Sequence, residues 1–218
     1  MAEPLPIAFA NTLHAVRGRL RDGLSTRSAL AAWLDSVTDQ LPEPPPSAPD
    51  RLPPSSSGLP GSGPPDSGLR GSPGMTDSPG ITDDDLRRAR ELRDAIRAIA
   101  SAVVSGDPPA PADLGILNAA ARDAPKWREL RWTPQPHATE HSRGTRATAA
   151  LSAIAAEAVA LFAGDLRSEL RACRGPGCVL HFIRDSPRRE FCSPGCGNRA
   201  RAARHYAKTK PGSPGHPD

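Results

Sequence analysis

The chain has 218 residues, of which 37% are hydrophobic and only 4% aromatic, and a formal net charge of +4. That length holds one or two domains, and so thin an apolar content excludes a chain that is packed throughout. No apolar run reaches the roughly 18 residues of a membrane span, and the start Met1-Ala2-Glu3-Pro4 has neither the basic nor the apolar region of a signal peptide, so a cytoplasmic protein that does not enter a membrane is expected.

Residues 5 to 40 read as a compact opening. Ile7-Ala8-Phe9-Ala10 is a short apolar run, and Asn11-Thr12 can cap a helix in which Leu13, Val16 and Leu20 recur at helical spacing until Gly23. Ser25 or Thr26 then precedes a second helix with Leu30, Trp33, Leu34 and Val37 on one stripe. Residues 42 to 80 are dominated by Pro, Ser and Gly, which offer almost nothing to bury, and are expected to be a disordered insertion.

Thr82 with Asp85 three positions on resembles a capping box, and Leu86, Ala89, Leu92, Ile96 and Ile99 form the stripe of a helix reaching about Val104. Ser105-Gly106-Asp107-Pro108-Pro109 stops it, and a short helix follows from Pro111 to Ala121. Trp127 to Thr133 alternates like a strand and can pair with His137 to Ser142 across Pro134-Gln135-Pro136. Residues 146 to 163 are nearly all Ala, Leu, Ile and Val, which predicts a central packing helix with Gly164 at its C′ position.

All four cysteines lie near the C-terminal end as Cys173-x4-Cys178-x13-Cys192-x3-Cys196. Two close pairs can each deliver two thiolates to a tetrahedral Zn²⁺. Two disulfides would also use four cysteines, but a cytosolic compartment keeps thiols reduced and favours metal. Arg174-Gly175-Pro176-Gly177 supplies turn chemistry between the first pair. Val179 to Ile183 is β-prone and is expected to form a hairpin with Arg189 to Cys192. Asn198 to Lys208 has helical content, which puts the last ligand near a helix N-terminus in a treble-clef-like layout. With four cysteines present, His181 is read as a hairpin residue and not as a ligand; His137 and His141, four apart beside Pro136, are read as strand or loop residues.

From Arg171 to Lys210 there are ten basic and two acidic side chains, a net +8 in a chain whose total is +4. The remainder therefore sums to −4, and the charge is sorted between the two parts. A small basic module of this kind reads as a binder of phosphate backbones.

Cys173 to Tyr206 resembles a CGNR zinc finger, whose signature stands here as Cys196-Gly197-Asn198-Arg199, preceded by Arg188-Arg189-Glu190-Phe191-Cys192 with Phe191 where the family pattern has Trp. Upstream, Phe9-Ala10-Asn11-Thr12-Leu13 and Trp33 are similar to the opening of the ABATE domain that accompanies this finger. The resemblance implies a bacterial transcription regulator.

The expected fold is mainly α with minor β: a helical domain over 1–165, interrupted by the insertion at 42–80, a zinc-binding module over 166–210, and a disordered tail over 211–218. The expected function is zinc-dependent binding of nucleic acid, DNA before RNA, through Arg188, Arg189, Arg199, Arg201, Arg204 and Lys208, with Cys173, Cys178, Cys192 and Cys196 holding Zn²⁺. The helical domain is expected to sense a ligand or to form a homodimer. The rival expectation is a zinc-stabilised module that docks on a protein. No nucleotide-binding or nucleophile motif is present, and a four-cysteine zinc has no open coordination position, so no enzyme is expected.

Overall fold

The computed structural model describes residues 3–16, 18–41, 80–142 and 144–209. The expected insertion at 42–80 lies outside these residues except for Gly80, and the expected tail at 211–218 lies outside them entirely.

The opening apolar run forms a short helix, α1 (Leu5–Ala10), started at Pro4 and burying Leu5, Ile7, Phe9 and Ala10. The helix expected next does not form. Asn11 ends α1 instead of capping a new helix, and the Thr12 hydroxyl donates back to the Phe9 carbonyl at 2.8 Å. A hairpin follows, β1 (Leu13–Val16) against β2 (Arg19–Asp22), turned at Gly18 with φ +77° and closed by Gly23 N–H on the Thr12 carbonyl. Val16 and Leu20 are exposed, so the helical spacing had no core to face. A left-handed residue that only glycine adopts freely reverses the chain and overrides that spacing.

The helices carry the core. In α2 (Arg27–Ser36), capped by Thr26, Leu30 and Leu34 are buried, and Trp33 meets the Phe9 ring at 5.0 Å. α3 (Asp83–Ser105) begins with the full capping box between Thr82 and Asp85 and ends at Gly106 in the left-handed region, φ +80°. Its expected stripe, Leu86, Ala89, Leu92, Ile96 and Ile99, is buried. Arg93 is buried in the same helix, because its guanidinium is paired with Asp94 at 2.9 Å and with Asp22 at the end of β2.

α4 (Pro111–Asp123) and α5 (Arg146–Ala163) complete the domain; the Ser152 hydroxyl on α5 donates to the Ala121 carbonyl at 3.1 Å and ties the two helices. By length and composition α5 is apolar enough to cross a membrane, but 56% of it is buried, with Leu151, Ile154, Ala155 and Ala158 packed in the main core. Gly164 ends α5 with φ −93°, outside the left-handed region. It is glycine for a different reason: a Cβ there would stand 2.8 Å from the Ala160 carbonyl oxygen.

Between α4 and α5 the expected hairpin is present, β3 (Lys126–Trp132) antiparallel to β4 (Pro136–Ser142). The last strands are β5 (Leu170–Ala172) and β6 (His181–Ile183). β6 was expected to pair with Arg189 to Cys192 but pairs with β5 instead. Residues 189–192 do not form a strand, because the backbone N–H of Cys192 points at the Cys173 sulfur, 3.3 Å away. The last described helix is α6 (Pro194–Thr209), and the described residues are mainly helical with three small antiparallel sheets.

Candidate metal centre

Two turns and one helix start bring the four thiols together. Cys173 follows β5 directly and Cys178 ends the first turn, whose N–H meets the Gly175 carbonyl at 2.9 Å and whose Gly177 has φ +68°. Cys192 precedes α6 and Cys196 lies in its first turn. Gly175 has to be glycine because a Cβ there would sit 2.9 Å from the Cys196 Cβ.

All four Sγ atoms lie within 4.8 Å of one another, and none is in a disulfide. Cys178 to Cys192 is 3.8 Å and Cys192 to Cys196 is 3.4 Å. A zinc–sulfur bond of about 2.3 Å gives a tetrahedron with edges of about 3.8 Å, so the donor set fits Zn²⁺ in size and chemistry.

The electrostatics also call for a cation. Burial pushes the Cys192 thiol well up, and the neighbouring Cys196 and Cys173 sulfurs add to the rise; burial raises Cys178 too. Cys196 moves the other way. Burial alone would raise it, but hydrogen bonds from Ser193, Cys192 and Arg199 bring it down to about 7. Four thiolates this close cannot all ionise without a dication to offset their repulsion.

A second layer of donors orients the sulfurs. Cys173 Sγ accepts the N–H groups of Gly175 and Cys192 at 3.4 and 3.3 Å, and Cys196 Sγ accepts Nη2 of Arg199 at 3.0 Å. Such partners fix ligand geometry and tune the metal. The four cysteines would hold the zinc, whose contribution is structural cross-linking at a closed site.

The basic residues named from the sequence divide into two groups. Arg189 turns inward: its guanidinium donates to Asp185 at 2.8 Å and to the carbonyls of Ile183, Phe191 and Cys192, and lies 4.8 Å over the Phe182 ring. Arg199 is committed to Cys196. Arg188, Arg201 and Arg204 are exposed, with Arg201 donating to Asn198 on its own helix and Arg204 to the Ala200 carbonyl. Lys208 is on α6, and its side chain lies outside the described residues.

Sequence reading missed how the module is fastened to the helices. The Asn11 side chain donates to the His181 carbonyl at 2.8 Å and accepts the His181 N–H at 3.1 Å, as a neighbouring strand would. Arg97 on α3 donates to the Val179 carbonyl at 3.0 Å and also to those of Ala10 and Leu13. Ile7, Ala100, Leu161, Leu170 and Ile183 form a small shared core beneath these bonds. His181, read as a hairpin residue, is buried in that junction with Nε2 3.3 Å from the Ser101 hydroxyl. Burial, with Arg97 nearby, holds its imidazole down at about 4. The only advance signal was Asn11 inside the opening motif. His137 and His141 stand on a strand, where His141 stacks on Trp127 at 5.7 Å, so they do not converge on a metal.

Comparison with known proteins agrees with this division. No curated protein matches the chain. Residues 169–209 match the family model of the CGNR zinc finger. Residues 3–165 match the ABATE model, described as "Putative stress-induced transcription regulator". That match spans well over half of the 218 residues, and the chain therefore belongs to the ABATE family, joined here to a zinc-binding CGNR finger.

Proposed function

We propose that the chain is a cytoplasmic, non-enzymatic transcription regulator that binds DNA through its zinc finger and pairs as a homodimer. The observation that carries this reading is the sorting of charge: a net +8 from Arg171 to Lys210 against −4 for the rest. The arginines that remain directed outward suit phosphate contacts, since a guanidinium grips two phosphate oxygens at once.

The working face comprises Arg188, Arg201 and Arg204, with Lys208 further along α6. Arg189 supports it from within through the Cys192 carbonyl, and Arg199, itself exposed, through the Cys196 sulfur. Arg167 and Arg174 are further outward cations of the chain. Both are exposed and line a cleft between the end of α3 and the finger, and Arg174 makes a long ion pair to Glu190, 3.9 Å. A four-thiolate zinc leaves no open coordination position, which supports binding over catalysis.

The test is fluorescence anisotropy of the zinc-loaded full chain with duplex DNA, single-stranded RNA and an acidic peptide over a range of salt. Binding to duplex DNA should weaken with salt at a slope of about 0.9 per neutralised phosphate, hence roughly −4 to −5 if four to six of the outward cations engage. Arg201→Ala with Arg204→Ala should lower affinity and shrink the slope by about 2 while zinc content is unchanged. A folded, zinc-loaded chain that binds only the acidic peptide assigns the finger to protein recognition.

A further inference from the structure

Among the described residues, α6 is buried only at its start. Cys196, Gly197 and Ala200 are buried, whereas every position from Arg201 to Ala207 is exposed, Tyr206 at 73%. Ala202, Ala203 and Ala207 keep this projecting part slender, and their helix propensity lets it form without a packed face. Arg201 and Arg204 share one side of it with position 208, at spacings of three and four along the helix. From Phe191 to Lys210 there are five basic side chains and no acidic one.

Charge and shape together select the occupant. A protein that grasps a helix does so on an apolar stripe, and Arg201 to Ala207 offers alanines and one tyrosine instead. The major groove of duplex DNA has phosphates along both walls, is about 12 Å wide and admits a helix of about 10–12 Å diameter. From Arg201 to Thr209 the helix rises about 12 Å, the height of roughly three to four base pairs. We infer that the projecting part of α6 enters the major groove and that Arg204 reads a guanine there. The inference rests on the DNA-binding reading above and adds to it that recognition depends on base sequence.

The arginines take different parts. Arg188 and Arg201 line one cleft at the base of α6, beside Phe191, Ser193 and Gly197. Two guanidinium groups on one cleft suit a phosphate of the groove wall, a contact that fixes register and carries no sequence information. Arg204 lies about 4.5 Å further along the helix axis than Arg201. Its Nε donates to the Ala200 carbonyl at 3.3 Å, so its two Nη groups form the fork that meets guanine O6 and N7. A cation inside the groove displaces counterions as a phosphate contact does. Salt dependence therefore does not separate the two roles, and base chemistry does.

Selection from a random duplex library by the zinc-loaded full chain tests this, followed by replacement of each guanine of the selected site with 7-deazaguanine. That base lacks the N7 acceptor in the major groove and keeps its Watson–Crick pairing. The selected sites should share a guanine whose replacement weakens the native chain about tenfold. Arg204→Ala should bind the two duplexes equally, and Arg188→Ala should weaken binding to both by the same factor, each with circular dichroism and zinc content unchanged. A native chain that binds duplex DNA without enriching any sequence overturns the inference and leaves the DNA reading standing. So does an enriched site that is indifferent to 7-deazaguanine at every guanine, an outcome that needs no variant to fold. Arg204→Ala that keeps the native preference for guanine overturns it as well. A native chain with no affinity for duplex DNA overturns both the inference and the DNA reading.

Discussion

Removing the zinc should uncouple the finger and weaken the helical domain without unfolding it. Cys173 to Thr209 buries too little apolar surface to fold unaided, and zinc supplies on the order of 10 kcal/mol in modules of this size. The helical domain keeps its own main core, from Leu30 and Leu34 through Leu92 and Ile96 to Ile154 and Ala158. What it loses is the finger's half of the shared cluster, Leu170 and Ile183, which cover Ile7, Ala100 and Leu161. Complete burial of Ile or Leu is worth about 1.5–3 kcal/mol. Uncovering about half of Ile7 and Leu161 and the methyl of Ala100 then costs about 3 kcal/mol. The Asn11 and Arg97 hydrogen bonds across the junction add about 1 kcal/mol more.

A loss of about 4 kcal/mol corresponds to a fall of about 15 °C in Tm for a domain of this size. Helical circular dichroism during heating, with and without a chelator under reducing conditions, measures it. Hydrogen exchange should show α6 and the cysteine turns losing protection on chelation while α3 and α5 keep theirs. Zinc-loaded Asn11→Ala should reproduce a few degrees of the shift at full metal content. A helical domain whose Tm moves by less than a few degrees on chelation would refute the energetic weight given to the junction. Loss of α3 and α5 protection at room temperature would refute their independence of the metal.

Arg199→Ala should lower zinc affinity about 10- to 100-fold, as read by competition with a chromogenic chelator, because it removes the donor 3.0 Å from Cys196; unchanged affinity with lost DNA binding would return Arg199 to the phosphate face. Gly175→Ala should likewise weaken the metal site, since its Cβ would sit 3.2 Å from the Cys196 sulfur, and full zinc content at native affinity would show that the turn can give way. His181 titrates near 4 when folded and near 6.5 when unfolded, so only the unfolded chain binds its proton between those values. Its contribution is complete above pH 6.5 and is lost as pH falls towards 4; urea midpoints at pH 7 and pH 5.5 with zinc in excess should show that loss, and His181→Gln should flatten it, an equal slope in the variant counting against the junction as its source. Asp22→Asn should destabilise the helical domain by about 3 kcal/mol in urea unfolding, because among the described residues it leaves the buried Arg93 only the exposed Asp94 as an anionic partner; a change below about 0.5 kcal/mol would show that Arg93 reaches water.

The sequence by itself determined what depends on neighbours along the chain. The stripe from Leu86 to Ile99 with its capping box, the apolar run of α5, the alternation of β3 and the cysteine spacing are local patterns, and each appears where it was read. The sorting of charge is likewise a property of order alone. Tertiary structure decided whatever depends on which surface comes to lie opposite. Leu13, Val16 and Leu20 have helical spacing but no facing core, so Gly18 turned them into a hairpin. β6 chose β5 because Cys192 gives its N–H to a sulfur. Arg189, Arg199, Arg188 and Arg201 look alike in sequence, yet Arg189 meets carbonyls and the exposed Arg199 a thiolate, while Arg188 and Arg201 lie on the surface away from the sulfurs. A guanidinium has the same charge in either setting, and only the position of acceptors folded around it decides whether it holds the finger together or is left to meet a phosphate.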